Sequence, residues 1–248
     1  MTRKQIIDEV KKHCTTVYAQ LGDWSHDLNH VKRVVKNCRL ICKQEKLSSK
    51  DAFLTELAAW LHDLGRVNEE IGLLFLESNH AEHSYIESKK ILEPYRSKIG
   101  REPMYKVLQA VREHSLPQLR HPENLISKIL QDADRGATLN VIGILSTLHY
   151  LKVVEWSKVT TKEQARLELP KLTKQLVATG KVSKALEVLQ ILVEMYFGAE
   201  NQVSTGNTVS PLHTVSARKL YKKDLAEIED YMDFLGELAQ NNVCYGEA

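Results

Sequence analysis

The sequence predicts an all-α fold, and three observations carry that reading. Glycine (11) and proline (6) are scarce for 248 residues, apolar residues recur at helical intervals along most of the chain, and no convincing period-two run marks a strand. Composition is otherwise ordinary for a globular protein, at 43% hydrophobic and 27% charged. A chain of this length can bury enough surface to need no disulfide staples, and a single domain over residues 1–248 is the simplest expectation.

Taken in order, residues 3–21 place Ile6, Val10, Cys14, Val17 and Leu21 on one helical stripe, and residues 29–46 repeat the pattern with Val31, Val34, Val35, Cys38 and Cys42. Ser48 with Asp51 three residues on resembles a capping box, opening a third helix through Phe53, Leu54, Leu57, Ala58 and Leu61. Gly65 suits a stop just after His62 and Asp63. Further helices are expected near 80–95, 103–115, 124–154, 161–178, 181–198 and 212–241, with turn-prone segments at 96–102, 116–123 and 199–211. The stretch Asn201–Ser210, rich in Ser, Thr, Asn and Gly, reads as a mobile loop.

Charge narrows the function classes. Thirty-four basic and 32 acidic side chains nearly cancel to +2, so no strong field marks a nucleic-acid binder, although a local basic patch stays open. The N-terminus lacks the apolar stretch of a signal peptide, and no run approaches the roughly 20 apolar residues of a membrane span, which makes the cytoplasm the expected address. Cys14, Cys38 and Cys42 fall on apolar stripes and Cys38 and Cys42 lack a CxxC spacing, so buried free thiols are expected there; Cys244, the fourth, is given no chemical role.

The chemistry concentrates in one constellation: His30, the adjacent pair His62-Asp63, and Asp134 in Gln-Asp-Ala-Asp-Arg. Two neutral imidazoles and two carboxylates suit a borderline divalent ion (Mn, Fe, Co, Ni or Zn) better than an all-oxygen cage for Mg or Ca. Advancing each residue by about 100° around a helix tests which polar side chains border the apolar face. On the helix over 124–145 the stripe is Ile126, Ile129, Leu130, Ala133, Ala137 and Val141; Asp134 lies about 60° from its centre and Asp132 about 130° away. Asp134 is therefore the expected inward ligand, and Asp132 is expected in solvent or behind the ligands. His30 lies roughly 70° from its stripe, His80 is similarly placed, His83 points further out, and His114 extends the inward row Val107, Ala110, Val111. His80 and His114 are thus candidates for a second metal, or for contacts to phosphate and water.

These residues, in this order, resemble the HD superfamily, whose signature is His, then His-Asp, then Asp on separate helices. The local contexts Ser25-His26-Asp27-Leu28-Asn29-His30, Leu61-His62-Asp63-Leu64-Gly65-Arg66 and Leu130-Gln131-Asp132-Ala133-Asp134-Arg135 are similar to its compact bacterial phosphohydrolase branch, as is the segment Ser216-Ala217-Arg218-Lys219 running to Phe234-Leu235. The resemblance spans about residues 24–240. It implies an HD-domain helical bundle with additional C-terminal helices, the ligand-bearing core at about 24–145 and the C-terminal helical part at about 146–241. Gly136 and Ala137 stand where that branch often has Leu-Asp, no Gly-Tyr-Pro follows His114 as in the cyclic dinucleotide phosphodiesterases, and Leu64-Gly65-Arg66 replaces the paired acids of alarmone hydrolases.

The resulting expectation is a metal-dependent phosphohydrolase acting on a small phosphorylated substrate, with nucleotides the class implied by the resemblance and metal-bound water as the attacking group. His30, His62, Asp63 and Asp134 would hold the metal, His114 and Arg66 would serve catalysis, and Arg66, His26 and His80 would contact substrate. Arg33 and Arg135, also beside ligands, are weaker phosphate candidates, since a basic residue on a helix is more often a solvated charge. The alternatives are a mixed-valent di-iron oxygenase using His80 and His114, and a non-catalytic module that senses a nucleotide. His13 and His149 read as hydrogen-bonded core histidines, Trp60 as core packing, and the lysines of 152–181 as a solvated face. Oligomeric state leaves no signature in the sequence.

Overall fold

The computed structural model describes residues 1–21, 25–68, 80–115, 122, 124–197 and 212–245, and every regular element among them is helical. The expected loop Asn201–Ser210 and most of the turn 116–123 lie outside the described residues. The chain divides into two compact units, one of Met1–Ala137 with Leu212–Arg218 and the other of Thr138–Pro211 with Lys219–Ala248.

The first unit opens with α1 (Arg3–Tyr18), capped by a reciprocal Thr2 and Gln5 capping box and burying Ile6, Val10, Cys14 and Tyr18. Tyr18 takes the inward place expected of Val17, and its hydroxyl donates to the carbonyl of Trp60 at 3.0 Å. Helix α2 (Leu28–Gln44) starts where the Asp27 carboxylate accepts from the amides of Asn29 and His30, so a side chain open to a functional reading is the helix cap. Ser48 caps α3 (Ser49–Leu61), accepting from the Asp51 amide. This helix is buried on almost every side from Leu54 to Leu61 because α1, α2 and α6 all pack on it.

Beyond α3 the chain tightens into a 3₁₀ turn over Leu64–Asn68. Gly65 is required there: a Cβ would fall 2.2 Å from the carbonyl oxygen of His80, so only glycine lets the turn approach α4 (His80–Leu92). The Gly65 amide donates to Ser84 Oγ at 2.8 Å and pins that approach. The expected turn at 96–102 contains a short helix, α5 (Arg96–Ile99), before Gly100 (φ +91°) redirects the chain into α6 (Arg101–Glu113).

Helix α7 (Leu125–Thr138) buries the expected stripe of Ile126, Ile129, Leu130, Ala133 and Ala137. Asp132, expected on the outer side, is fully buried. The returning segment Leu212–Arg218 covers that side, and Asp132 accepts from the amides of His213 and Thr214 and from the Thr214 hydroxyl at 2.7–2.8 Å. The same segment is tied to α2 where the Ser216 amide donates to Glu45.

In the second unit the helix expected over 124–154 is interrupted. Asn140 adopts an extended conformation and its side chain accepts from the amides of Ile142 and Gly143, opening a separate α8 (Val141–Tyr150). α9 (Lys162–Ala178) continues through Pro170 and packs against α8 and α10 (Val182–Phe197). The long α11 (Val215–Tyr245) is joined to α9 within this unit by Lys162 with Asp224, by Arg166 with Glu227, and by Thr173 with Tyr231. His149 is half-buried and accepts from the Trp156 amide, whereas His13, expected inside, is exposed. No helix among the described residues is long and apolar enough to cross a membrane.

Candidate metal centre

The first unit gathers His30 from α2, His62 and Asp63 from the end of α3, and Asp134 from α7. His30 Nε2 lies 3.0 Å from Asp134 Oδ1 and 3.7 Å from Asp63 Oδ2; His62 Nε2 lies 3.2 Å from Asp63 Oδ2 and 3.8 Å from Asp134 Oδ1. All are buried except Asp134, whose side chain is 17% exposed. The helices explain the convergence: α2 begins at the Asp27 cap, which sets His30 in its first turn, while α3 delivers the His-Asp pair where its regular hydrogen bonding stops.

His80, at the start of α4, and His114, just past α6, lie against the other oxygen of Asp63. His114 Nε2 is 3.4 Å and His80 Nε2 is 3.7 Å from Asp63 Oδ1, and the two imidazole nitrogens are 3.2 Å apart. The carboxylate of Asp63 therefore divides its oxygens, Oδ2 facing His30 and His62 and Oδ1 facing His80 and His114. Arg66 Nε donates to the same Oδ1 at 3.3 Å. Among the described residues, two triads have donor atoms mutually within 4.8 Å: His30, His62 and Asp134, and His62, Asp63 and His114.

The tautomers of two histidines follow from their neighbours. His62 Nδ1 sits 2.9 Å from the carbonyl of Ala59, and His114 Nδ1 2.6 Å from that of Val111. A carbonyl can only accept, so Nδ1 carries the proton in each ring, and a neutral ring presents its Nε2 lone pair to the cluster. Nε2 of both His30 and His62 is buried without a hydrogen-bond partner. In the neutral ring, the His62 Nε2 lone pair turned on Asp63 and Asp134 is unfavourable until a cation stands between them, and a divalent ion fits this donor set.

Without a metal the protonation equilibria show the same demand for positive charge. Burial disfavours an imidazolium at His62, yet the neighbouring Asp63, helped by Asp134, pulls its pKa up to about 9. Burial also works against ionised Asp63 and Asp134, but His62 and Arg66 hold Asp63, and His30 and His62 hold Asp134, far below the ordinary carboxylate range. At His30 burial wins and the pKa falls below its usual value despite Asp134.

The peripheral candidates separate. The His26 ring is 5.8 Å from that of His30 and half-buried, close enough to border the centre. His83 is half-buried, and its Nδ1 is buried without a hydrogen-bond partner. Arg135 bonds Gln131 and contacts His213, and Asp132 holds the returning segment. Sequence reasoning passed over Gln131, whose amide donates to the carbonyl of Glu113 beside His114 while its oxygen meets His213. Its signal was faint, since a lone glutamine on a helix flank has many uses.

The HD-domain family model matches residues 27–139. Residues 27–139 are an HD domain. HD domains bind divalent metals, and the His and Asp clusters here can hold one. Among solved structures, YpgQ of Bacillus subtilis is 18% identical, with 96% of this chain and 95% of that one aligned at a TM-score of 0.52. A Lactobacillus plantarum protein is 17% identical, with 97% and 100% aligned at 0.56. A chain described as a predicted HD superfamily hydrolase, from an uncultured Thermotogales bacterium, is 26% identical over 71% of this chain and 91% of that one, at 0.44. No curated protein sequence matches significantly.

Proposed function

We propose that the HD domain is a metal-dependent phosphohydrolase that cleaves a phosphate ester or anhydride of a nucleotide. The observation that carries the reading is the set of buried His30, His62 and Asp63 with half-buried Asp134, its two imidazole Nε2 atoms lacking hydrogen-bond partners and turned on two carboxylates. In this reading those four residues are the metal ligands. A bound divalent ion supplies an activated water and offsets charge developing on a phosphoryl oxygen.

The remaining steps belong to the chain. The Ala59 carbonyl fixes the His62 tautomer, so this ligand is oriented before anything binds. Arg66 engages Asp63 through Nε and adds a positive charge beside the carboxylate, where it serves substrate phosphate. His114, likewise locked by Val111, points Nε2 at Asp63 and is the group that orients the attacking water or passes its proton. His80 and His26, flanking the cluster, are the proposed substrate contacts.

A second reading has an observation of its own. Asp63 presents one oxygen to each histidine pair, so His30, His62 and Asp134 would hold one metal and His80 with His114 would offer donors for a second. That geometry serves a two-metal hydrolase or a mixed-valent di-iron oxygenase. One metal per chain by elemental analysis argues against both. The test of the main reading is a screen of the purified protein over nucleotides and phosphoesters with Mn, Fe, Co, Ni and Zn. Release of phosphate or pyrophosphate is expected, and a metal-loaded protein inert across the panel would count against it. A metal-loaded wild type that binds a nucleotide without turning it over would make the domain a sensor, whereas under the enzyme reading Asp63→Ala loses metal and activity together.

A further inference from the structure

An open groove formed by α1, α2 and the end of α3 has a volume of about 450 Å³ and is lined by Lys11, Lys32, Lys36, Arg39, Lys43 and Trp60, among others. None of these is a metal-centre residue. On α2 the four cations recur at intervals of four, three and four residues, which stacks them on one helical face. Neighbours at such spacings repel one another. In a chain whose net charge is only +2, the row is a local segregation and not a by-product of overall basicity.

The protein does little to neutralise it. Arg39 is paired with Glu56, whereas Lys32, Lys36 and Lys43 make no hydrogen bond or ion pair among the described residues, and Lys11 has only the ring of Trp60, 5.8 Å from its Nζ. All four lysines are exposed. Trp60 is 3% exposed, and its buried Nε1 has no hydrogen-bond partner.

We propose that this groove binds a compact, multiply charged phosphate anion of the inorganic polyphosphate class, at a site separate from the metal centre. The groove's volume of about 450 Å³ falls in the range of roughly 300–1,000 Å³ typical of small-molecule sites. Four cations without acidic partners match an anion carrying several charges over a short length. A nucleic-acid strand fits less well, because it wants aromatic faces on which bases stack, and the aromatic ring lining this groove is buried.

The test is calorimetric titration of the full chain, stripped of metal, with inorganic tripolyphosphate at about 0.15 M salt. Wild type and His62→Ala should bind alike, since the metal centre takes no part. The triple variant Lys32→Gln, Lys36→Gln, Lys43→Gln should lose roughly tenfold or more in affinity. Lys36→Glu with Lys43→Glu is the second variant; both sets change exposed side chains, and thermal melting confirms that each folds. The proposal is overturned if the lysine variants bind as wild type does, if His62→Ala abolishes binding, if wild type binds no tripolyphosphate, or if a single-stranded oligonucleotide binds the groove far more tightly. Because the His62→Ala arm stands apart from hydrolysis, failure here leaves the proposed reaction untouched, and the reverse also holds.

Discussion

The behaviour of single residues in this protein is governed by what their neighbours do with charge. His62 holds one ring nitrogen against the Ala59 carbonyl and turns the other on Asp63 and Asp134, so His62→Ala and Asp63→Ala should each reduce bound metal to near background by elemental analysis while the helical circular dichroism persists. Asp132 makes a different case. Its burial pushes the pKa up to about 6 although the amides of His213 and Thr214 and the Thr214 hydroxyl pull the other way. A carboxyl whose folded pKa stands above its unfolded value stabilises most fully below the unfolded pKa, and that contribution is lost as pH rises through the folded one. Between about pH 4 and 7 wild type should therefore lose stability relative to Asp132→Asn, measured by urea unfolding of the metal-free protein. At pH 7, where the carboxylate is mostly ionised, Asp132→Ala should cost about 2–4 kcal/mol, because it strands three donors of the returning segment.

At the scale of elements, the sequence exposes helices wherever one face is apolar and hides what depends on a second covering. The stripes of α1, α2 and α7 are visible in advance because burial follows a period of 3.6. The break at Asn140 is not, since a side chain that caps a helix looks in sequence like any polar residue in a continuous pattern. Asp132 misleads for a related reason: its angle from the apolar stripe is real, but Leu212–Arg218 arrives from far along the chain and buries that side too. The His-Asp pair, by contrast, is legible because adjacent ligand types are rare by chance, while the division of Asp63 between two histidine pairs needs the coordinates. Two element-level tests follow. Gly65→Ala puts a Cβ 2.2 Å from the His80 carbonyl oxygen, so it should lower stability by about 1–3 kcal/mol and shift α4, read as a fall in thermal midpoint and in metal affinity together. Cys14, Cys38 and Cys42 are buried and free, with burial raising each thiol pKa, Cys14 to about 12; none should react with a thiol reagent in the native state, and all should in denaturant.

For the molecule as a whole, the ligands come from positions as far apart in sequence as His30 and Asp134, so the unfolded chain offers no comparable site. A metal that binds only the folded state stabilises it by mass action, about 2.7 kcal/mol at a hundredfold excess over Kd. Differential scanning calorimetry should show the thermal midpoint rising with Mn, Fe, Co, Ni or Zn and falling back with a chelator. The matched family region, residues 27–139, lies almost wholly in the first unit, which also holds every candidate ligand. The central claim is that this ligand set makes a hydrolytic metal centre, and phosphate release from a nucleotide panel by metal-loaded wild type, measured beside Asp63→Ala, tests it most directly. Turnover that disappears in the variant is the predicted result; a metal-loaded wild type that releases no phosphate, or a variant as active as wild type, would contradict it.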